Sequence, residues 1–176
     1  MLASNTAIAA PRQATAADLP AVLALVRQVV PLMQASGNLQ WTSDYPNAEI
    51  FAQDLAAAHL WVVELSGEVA GVAALTRDAQ DAEYALADWD PAAPAVVVHR
   101  LAVAPAAQGR GVAQALLAQA EALARAWGYG RVRVDTNSEN AATQRLFPKL
   151  GYRFAGEITL AFRPGLRFYC YERRVA

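Results

Sequence analysis

The stretch Arg100–Leu117, which reads RLAVAPAAQGRGVAQALL, joins three kinds of sequence. Its first residues end a run of apolar and β-branched residues that predicts a strand. The middle segment, APAAQGRG, is small and turn-like, and the segment after it consists of strong helix formers. The stretch therefore predicts that a strand passes through a turn containing Gly109 and Gly111 into a helix.

A helix that starts directly after a glycine turn offers a site for an anion. The first backbone N–H groups of a helix have no partner within it and carry a partial positive charge. Glycine lets a ligand approach these groups closely, so the turn is predicted to bind a phosphate group. The alternative is a tight turn in which the two glycines serve only the path of the chain.

Two common phosphate-binding loops do not fit this turn. A Walker-type loop requires Lys and then Ser or Thr after its last glycine, whereas Val112 and Ala113 follow Gly111. A dinucleotide-binding fingerprint requires a third small residue three places after the second glycine, where this chain has Gln114. The turn is therefore of a different kind.

The composition predicts one domain in the cytoplasm. The chain has 176 residues, of which 55% are apolar, so we expect a tail at residues 1–7 and one domain at residues 8–176. Cys170 is the single cysteine, and residues 1–7 lack the features of a signal peptide. The net charge of −1 disfavours a nucleic-acid partner, and the longest apolar run is too short for a membrane span.

Turn residues and apolar periodicity divide the rest of the chain into strands and helices. The predicted strands are Ile8–Gln13, Leu60–Leu65, Glu68–Arg77, Val96–Val103, Arg131–Thr136, Tyr152–Gly156 and Arg167–Arg174. The predicted helices are one capped by Asp18 and kinked or ended by Pro31, one from Asn47 to about Ala58, Gly109–Trp127, and Asn140–Lys149. This order predicts a mixed α/β sheet with some antiparallel neighbours.

Two segments resemble motifs of the GNAT superfamily of N-acetyltransferases. Gln108-x-x-Gly111-x-Ala113, after HRLAVAP, resembles the acetyl-CoA loop of that family, Gln/Arg-x-x-Gly-x-Gly/Ala. NAATQRLFPKLGY, at Asn140–Tyr152, resembles a later segment of the family, and the order of elements matches from Ile8 to the end. The resemblance extends to small bacterial members without assigned substrates. It implies a GNAT-like fold: a single α/β domain with a mixed, mostly antiparallel sheet flanked by helices.

The resemblance also implies an activity. An acyltransferase of this kind moves the acetyl group of acetyl-CoA to a primary amine, which attacks directly in a ternary complex, without an acyl-enzyme and without a metal. We therefore expect a small-molecule amine as the partner, with a homodimer also allowed. A cysteine nucleophile is not needed, which fits the prediction that Cys170 is a small buried hydrophobic residue.

The resemblance assigns the cofactor contacts residue by residue. The pantetheine arm pairs with the strand carrying Leu101, Ala102 and Val103, where a backbone N–H polarises the thioester carbonyl. Asn140 lies on the other side of that arm. The backbone amides that bind the pyrophosphate are those of Gln108, Gly109, Arg110, Gly111, Val112 and Ala113. Arg110, Arg145 and Lys149 could favour the phosphates, or could be solvated helix charges.

His99 is the candidate base. An amine is protonated near neutral pH and cannot attack until its proton is removed. Related enzymes often carry a glutamate at this place, and a histidine has a suitable intrinsic pKa of about 6.5. Strand alternation predicts that His99 and Leu101 share one face and Arg100 the other. The alternative is a structural histidine.

Phe147 departs from the family pattern. The family usually has a tyrosine here, near the sulfur, which protonates the departing thiolate; phenylalanine has no such proton. Three explanations stay open: Tyr169 or Tyr171 supplies the acid, water does, or the protein binds acetyl-CoA without turning it over. The last explanation defines a different class of protein, a non-catalytic acyl-CoA-binding or sensing module.

The acceptor is the least defined part of the prediction. A run of acids before the candidate base could attract a cationic amine or could be a solvated loop. Four aromatic residues could line an acceptor pocket or belong to the core. The acids are Asp78, Asp81, Glu83, Asp88 and Asp90, and the aromatic residues are Trp41, Tyr45, Tyr84 and Trp89. A polyamine, an amino acid, an aminoglycoside and a protein N-terminus all remain candidate acceptors.

Overall fold

The computed structural model of the chain describes residues 7–77 and 82–176. In these residues one sheet has the strand order β1-β2-β3-β4-β5-β7-β6, and only β4 and β5 are parallel neighbours. The strands are β1 Arg12–Gln13, β2 Leu60–Leu65, β3 Glu68–Arg77, β4 Val96–Val103, β5 Arg131–Asn137, β6 Arg153–Ile158 and β7 Phe168–Arg174. The helices are α1 Leu19–Ala35, α2 Ala48–Ala56, α3 Val112–Ala126 and α4 Ala141–Lys149. The predicted fold, a mixed and mostly antiparallel sheet flanked by helices, is confirmed.

Helices cover both faces of the sheet. On one face, which we call the α3 face, Leu116 and Leu117 of α3 and Phe147 of α4 pack among buried residues of the central strands. On the opposite face, which we call the α1 face, Val22 of α1 and Phe51 of α2 pack against another set of strand residues. Buried apolar side chains on both faces therefore hold the central strands between two layers of helices.

The first elements differ from the prediction. Ile8 makes an isolated bridge to Leu65, and the paired strand is only Arg12–Gln13, because Pro11 between them cannot donate to a ladder. Asp18 occupies the predicted N-cap position of α1, but its side chain makes no cap hydrogen bond there: its carboxylate accepts from Thr15 and from Arg12. Because Arg12 binds both carboxylate oxygens at 2.8 Å, it holds the pKa of Asp18 well below its usual range.

The helix α1 continues through Pro31 to Ala35, so of the two predicted effects of this proline, a kink or a helix end, the helix end is wrong. The longest uninterrupted apolar run of the sequence predicted no membrane span. The helical segment Ala16–Ala35 is nevertheless long and apolar enough, by length and composition, to cross a membrane. In this fold one side of the helix, with Val22 and Leu25, is buried against the sheet.

Two irregularities interrupt the regular pairing in the centre of the sheet. Strands β4 and β5 pair only from Val96–Val98 to Val132–Val134, and beyond these residues the two strands separate. In β4, Arg100 adopts a φ of +52°. Arg100 and Leu101 together lie opposite the single residue Ala73 of β3. This is a β-bulge, which shifts all following side chains by one position.

The bulge overturns one prediction about faces. His99 pairs with Ala74 and Ala102 pairs with Val72, so His99 and Ala102 share the α1 face. Leu101 packs instead into the cluster on the α3 face. The predicted common face of His99 and Leu101 is therefore wrong, because strict alternation ends at an inserted residue.

Gly71 of β3 generates a testable prediction about the position of α3. A Cβ on this glycine would lie 2.3 Å from Cγ1 of Val112, the first residue of α3. Alanine is otherwise favoured over glycine in a strand, so only the clash makes Gly71→Ala unfavourable. We expect the substitution to lower the free energy of unfolding by about 1–3 kcal/mol, as overpacking typically does, measured by urea denaturation.

The matched control is the double variant Gly71→Ala/Val112→Ala, which removes the opposing methyl groups. Its loss of stability is expected to be smaller than the sum of the two single losses. Additive losses, or a Gly71→Ala variant as stable as the original chain, would show that this contact does not fix the start of α3.

Candidate active site

A cavity of about 940 Å³ opens where β4 and β5 separate. All the predicted site residues except Arg110 line it. These are His99, Leu101, Ala102, Val103, Gln108, Gly109, Gly111, Val112, Ala113, Asn140 and Phe147. The cavity continues past the opening to the aromatic residues Trp41, Tyr45 and Phe162. One continuous space therefore connects the glycine turn with the space beside α1.

The glycine turn has the form of an anion cradle. Helix α3 begins at Val112 rather than at Gly109, because Gly109 and Gly111 have φ values of +73° and +86° that a helix does not allow. The first helical hydrogen bond runs from the Ala115 amide to the Gly111 carbonyl, at 2.9 Å. In the described part of the chain, no backbone carbonyl accepts from the amides of Gly109, Gly111, Val112 or Ala113. The first turn of α3 also contains no acid that would oppose a bound anion.

One of the three candidate cations lines the cavity. Lys149, in the last turn of α4, is part of the lining. Arg110 and Arg145 are exposed and lie outside it. The cradle therefore depends on backbone amides, and of the three candidate cations Lys149 is the one in the cavity lining.

The opposite wall is the start of α4. The side chain of Asn140 caps this helix by accepting from the Thr143 amide at 3.3 Å. The Thr143 hydroxyl lies 2.7 Å from that of Thr136 on β5. Phe147 follows Thr143 one turn later, so these hydroxyls and the phenyl ring lie on the same side of α4.

Phe147 has aromatic neighbours instead of polar ones. It is 1% exposed, with its ring centroid 5.2 Å from that of Tyr171 and 5.9 Å from that of Tyr152. Neither Tyr169 nor Tyr171 lines the cavity. Burial raises the pKa of Tyr171, which makes its hydroxyl a weaker acid.

The far end of the cavity contains an ion pair that the sequence did not reveal. Arg100 donates two hydrogen bonds of 2.6 Å to the two carboxylate oxygens of Asp54 on α2. The side chains of Arg100 and Asp54 are only 16% and 9% exposed. Because each charge is matched by the other, this pair forms a neutral, rigid part of the floor.

Two of the four predicted aromatic residues line the cavity and two do not. Trp41 and Tyr45 are lining residues. Tyr84 and Trp89 pack instead in a separate buried cluster, with ring centroids 5.3 Å apart. The hydrophobic lining of this end is extended by Val29, Met33, Leu160 and Phe162.

The acidic segment contributes no described residue to the lining. Asp78 and Asp81 lie outside the described residues. Glu83 accepts from the Ala161 amide at 2.9 Å, a contact that lowers its pKa. Asp88 and Asp90 are exposed and do not reach the cavity.

Among the described residues, the acids that line the cavity are Asp54 and, on β5, Asp135. The Tyr84 hydroxyl donates a hydrogen bond to Asp135. Sequence reasoning missed Asp135 because its segment, RVRVDTN, resembles an ordinary strand. Only the register between β4 and β5 places this carboxylate beside the opening.

Cys170 is fully buried in the cluster behind β5, as predicted, and burial raises the pKa of its thiol. It therefore does not supply a nucleophile to the cavity. His59 lies directly before β2 and also lines the cavity. In the described residues, no group of three or more His, Cys, Asp or Glu side chains could hold a metal ion.

Comparison with known proteins identifies the class to which this site belongs. The family model described as the acetyltransferase (GNAT) family matches residues 27–152, which is more than half of the chain. The chain therefore belongs to the GNAT acetyltransferase family, and it is an acyltransferase. No curated protein matches the chain in sequence.

Solved structures agree with this assignment. A GNAT-family acetyltransferase from Streptococcus agalactiae is 25% identical, with a TM-score of 0.82 over 98% of this chain and 99% of that chain. YncA from Salmonella typhimurium, solved with its cofactor acetyl-CoA, is 21% identical, with a TM-score of 0.67 over 97% and 95%. The ribosomal-protein-S18-alanine N-acetyltransferase from Escherichia coli is 15% identical, with a TM-score of 0.67 over 97% and 95%. The last two show a similar fold alone.

Proposed function

We propose that this chain is an acetyl-CoA-dependent N-acetyltransferase that acetylates a small primary amine by direct attack in a ternary complex. One observation carries the proposal: a single cavity joins an anion cradle, Gln108–Ala113, to a histidine at the opening between two strands. The cradle and the histidine are the two parts that such a reaction needs, a place for the donor and a base for the acceptor.

The residues present fit coenzyme A. The unpaired amides of Gly109, Gly111, Val112 and Ala113 match a pyrophosphate, which accepts several hydrogen bonds. A Cβ on Gly109 would meet no atom within 4 Å, so the backbone there is open to a ligand. Beyond Val98, β4 has no strand partner on the β5 side, and a pantetheine arm could pair along this edge. When bound, acetyl-CoA supplies an activated acetyl group as a thioester.

His99 and the backbone of β4 perform the chemistry in this proposal. His99 removes a proton from the acceptor ammonium, which frees the lone pair of its nitrogen. The backbone N–H of Leu101, next to the bulge, donates a hydrogen bond to the acetyl oxygen as negative charge develops there. The C–N bond forms and the C–S bond breaks, the nitrogen gives up a second proton to water, and the thiolate takes a proton from water.

Water is the proposed acid because Phe147 has no hydroxyl, and because Tyr169 and Tyr171 do not line the cavity. The alternative function, an acyl-CoA-binding or sensing module, shares the cradle but lacks the chemical step. A cytoplasmic location and a homodimer stay predictions from the sequence.

Thiol release from acetyl-CoA over a panel of primary amines distinguishes the two functions. We expect at least one amine to accelerate thiol release and to yield its N-acetyl product, identified by mass spectrometry. If coenzyme A binds in calorimetry and no amine accelerates release, the binding module is the correct function.

The cradle is tested by Gly109→Trp, which fills the space beside the amides. We expect coenzyme A affinity to fall at least about tenfold, since a bulky group there excludes the pyrophosphate. The matched control is Gly128→Trp at the other end of α3. Its φ is +70° against +73° for Gly109, and its Cβ also meets no atom within 4 Å, so the backbone strain is the same. Equal affinities of the two folded variants in calorimetry would place the pyrophosphate elsewhere.

The base is tested by His99→Gln. We expect kcat/KM to fall about a hundredfold or more, as for a lost general base, and the acidic limb of its pH profile to disappear. His59→Gln is the comparison, because His59 precedes β2, which lies two strands from β4, roughly 10 Å away. That variant is expected to keep the acidic limb. A His99→Gln enzyme with an unchanged profile would make His99 a structural residue.

A further inference from the structure

The bulge in β4 puts Arg100 on the same side of the sheet as His99. Strict alternation would turn the side chains of two consecutive residues to opposite faces. Arg100 instead donates hydrogen bonds to Asp54 of α2, and α2 packs on the α1 face, where His99 also lies. Both residues line the cavity, and their Cα atoms are about 3.8 Å apart, as for any neighbours along a chain. The candidate base therefore has a guanidinium group as its neighbour within the cavity.

The bonds to Asp54 use only part of this guanidinium group, which has five N–H groups in one plane. Nε and Nη2 each donate to Asp54, which leaves the second N–H of Nη2 and both of Nη1. The Tyr45 hydroxyl lies beside the guanidinium group, but one hydroxyl oxygen has two acceptor positions and cannot satisfy three donors. Because Arg100 lines the cavity, this second edge can donate to a ligand there.

Arg100 is charged and held in place before an acceptor binds. Burial lowers the pKa of Arg100, but Asp54 and then Tyr45 raise it by more, so the net shift is upward. The ring of Tyr45 is itself covered by the guanidinium of Arg163, which lies 4.7 Å from the ring centroid. A guanidinium group that one carboxylate already fixes loses little conformational entropy when it binds a second carboxylate.

The other arginine and lysine side chains do not offer such an edge. Among the described residues, Arg100 is the one arginine in the cavity lining. Arg163 lies behind the aromatic residues, where its Nε donates to the Gln40 carbonyl at 2.9 Å. Lys149 lines the cavity from α4, but an ammonium group cannot bind a carboxylate through two parallel N–H donors.

The net charge beside Arg100 also favours one kind of ligand. The pair formed by Arg100 and Asp54 is neutral as a whole, so a buried molecule with a net charge would leave that charge unmatched. An amino acid at neutral pH carries one ammonium group and one carboxylate and is neutral overall. Its carboxylate can accept charge-assisted hydrogen bonds from Arg100 without adding net charge to the cavity.

We propose that the second edge of Arg100, together with the Tyr45 hydroxyl, binds a carboxylate of the acceptor, and that the acceptor is an amino acid. This inference rests on the proposed function and specifies its substrate class. Because Arg100 directly follows His99, the carboxylate and the reacting amine of the acceptor are a few bonds apart. The rest of the acceptor extends toward Trp41 and Phe162, which line the same cavity.

The test compares acceptors of the same shape and different charge. Each amino acid of the panel is paired with its primary carboxamide, and the preference is the ratio of kcat/KM for the acid to kcat/KM for the amide. We expect the original chain to prefer the acid by about tenfold to a hundredfold, the range for hydrogen bonds to a charged group. The amide has the less basic amine, which loses its proton more easily, so basicity cannot produce this preference.

Arg100→Lys keeps a positive charge for Asp54 and removes the second edge. We expect it to lower the preference for the acid at least about tenfold, while the affinity for coenzyme A, measured by calorimetry, stays within about twofold. Tyr45→Phe keeps the aromatic ring, and we expect a smaller fall of the preference. This second variant, with the ratio of the original chain, keeps the test decisive if Arg100→Lys does not fold. The matched control is Arg27→Lys, at an exposed position of α1 outside the lining, which should keep the original preference.

The outcomes separate the inference from the proposed function. If the original chain acetylates amines but uses the amides, or amines without a carboxylate, at least as well as the acids, the substrate class is wrong. A folded Arg100→Lys variant that loses the same factor with acid and amide would give Arg100 a merely structural role at the bulge. An original chain that releases no thiol with any amine overturns the proposed function and this inference together.

Discussion

The short parallel ladder between β4 and β5 is the constraint on which the rest of the site depends. Three residues of each strand pair, from Val96 to Val98 and from Val132 to Val134, and the strands then separate. Had pairing continued to the end of β4, the sheet would be closed and its two faces would not communicate. Because it stops, one cavity connects the glycine turn on the α3 face with the aromatic wall on the α1 face. Side chains and backbone groups from both faces of the sheet therefore line the same cavity.

The bulge at Arg100 determines which side chains of β4 lie on each face of the sheet. A left-handed conformation costs a non-glycine residue roughly 1–2 kcal/mol. Arg100 donates two hydrogen bonds to Asp54, and because both side chains are largely buried, the cost of desolvating the two charges opposes the gain from these bonds. The ion pair ties β4 to α2 at the bulge. His99, just before the bulge, lies on the α1 face, whereas Leu101, just after it, packs on the α3 face.

The sequence predicted the donor end of the site well and the acceptor end poorly, and the difference has a physical cause. The glycine turn and the helix starts at Asn47 and Asn140 are local features, and in the structure both asparagines cap these helices. The bulge depends on Asp54, which is 46 residues from Arg100 along the chain, and strand alternation gives no sign of it. Asp135 gains its place only through the register of a parallel pair. Such long-range pairing has no local signature, so it was found only in the folded chain.

The energetics of the proposed reaction explain why a phenylalanine is tolerated at position 147. A thiolate with the pKa of a cysteine, about 8.5, takes a proton at pH 7 with a gain of about 2 kcal/mol, and water can supply it. An alkylammonium group with the pKa of lysine, about 10.4, must lose a proton at the same pH at a cost of about 5 kcal/mol. The difficult proton is thus the one on the acceptor, and a general base matters more than a general acid. The cavity has this asymmetry: phenyl and threonine side chains stand on the α4 side, while His99 and Asp135 flank the opening on the α1 face.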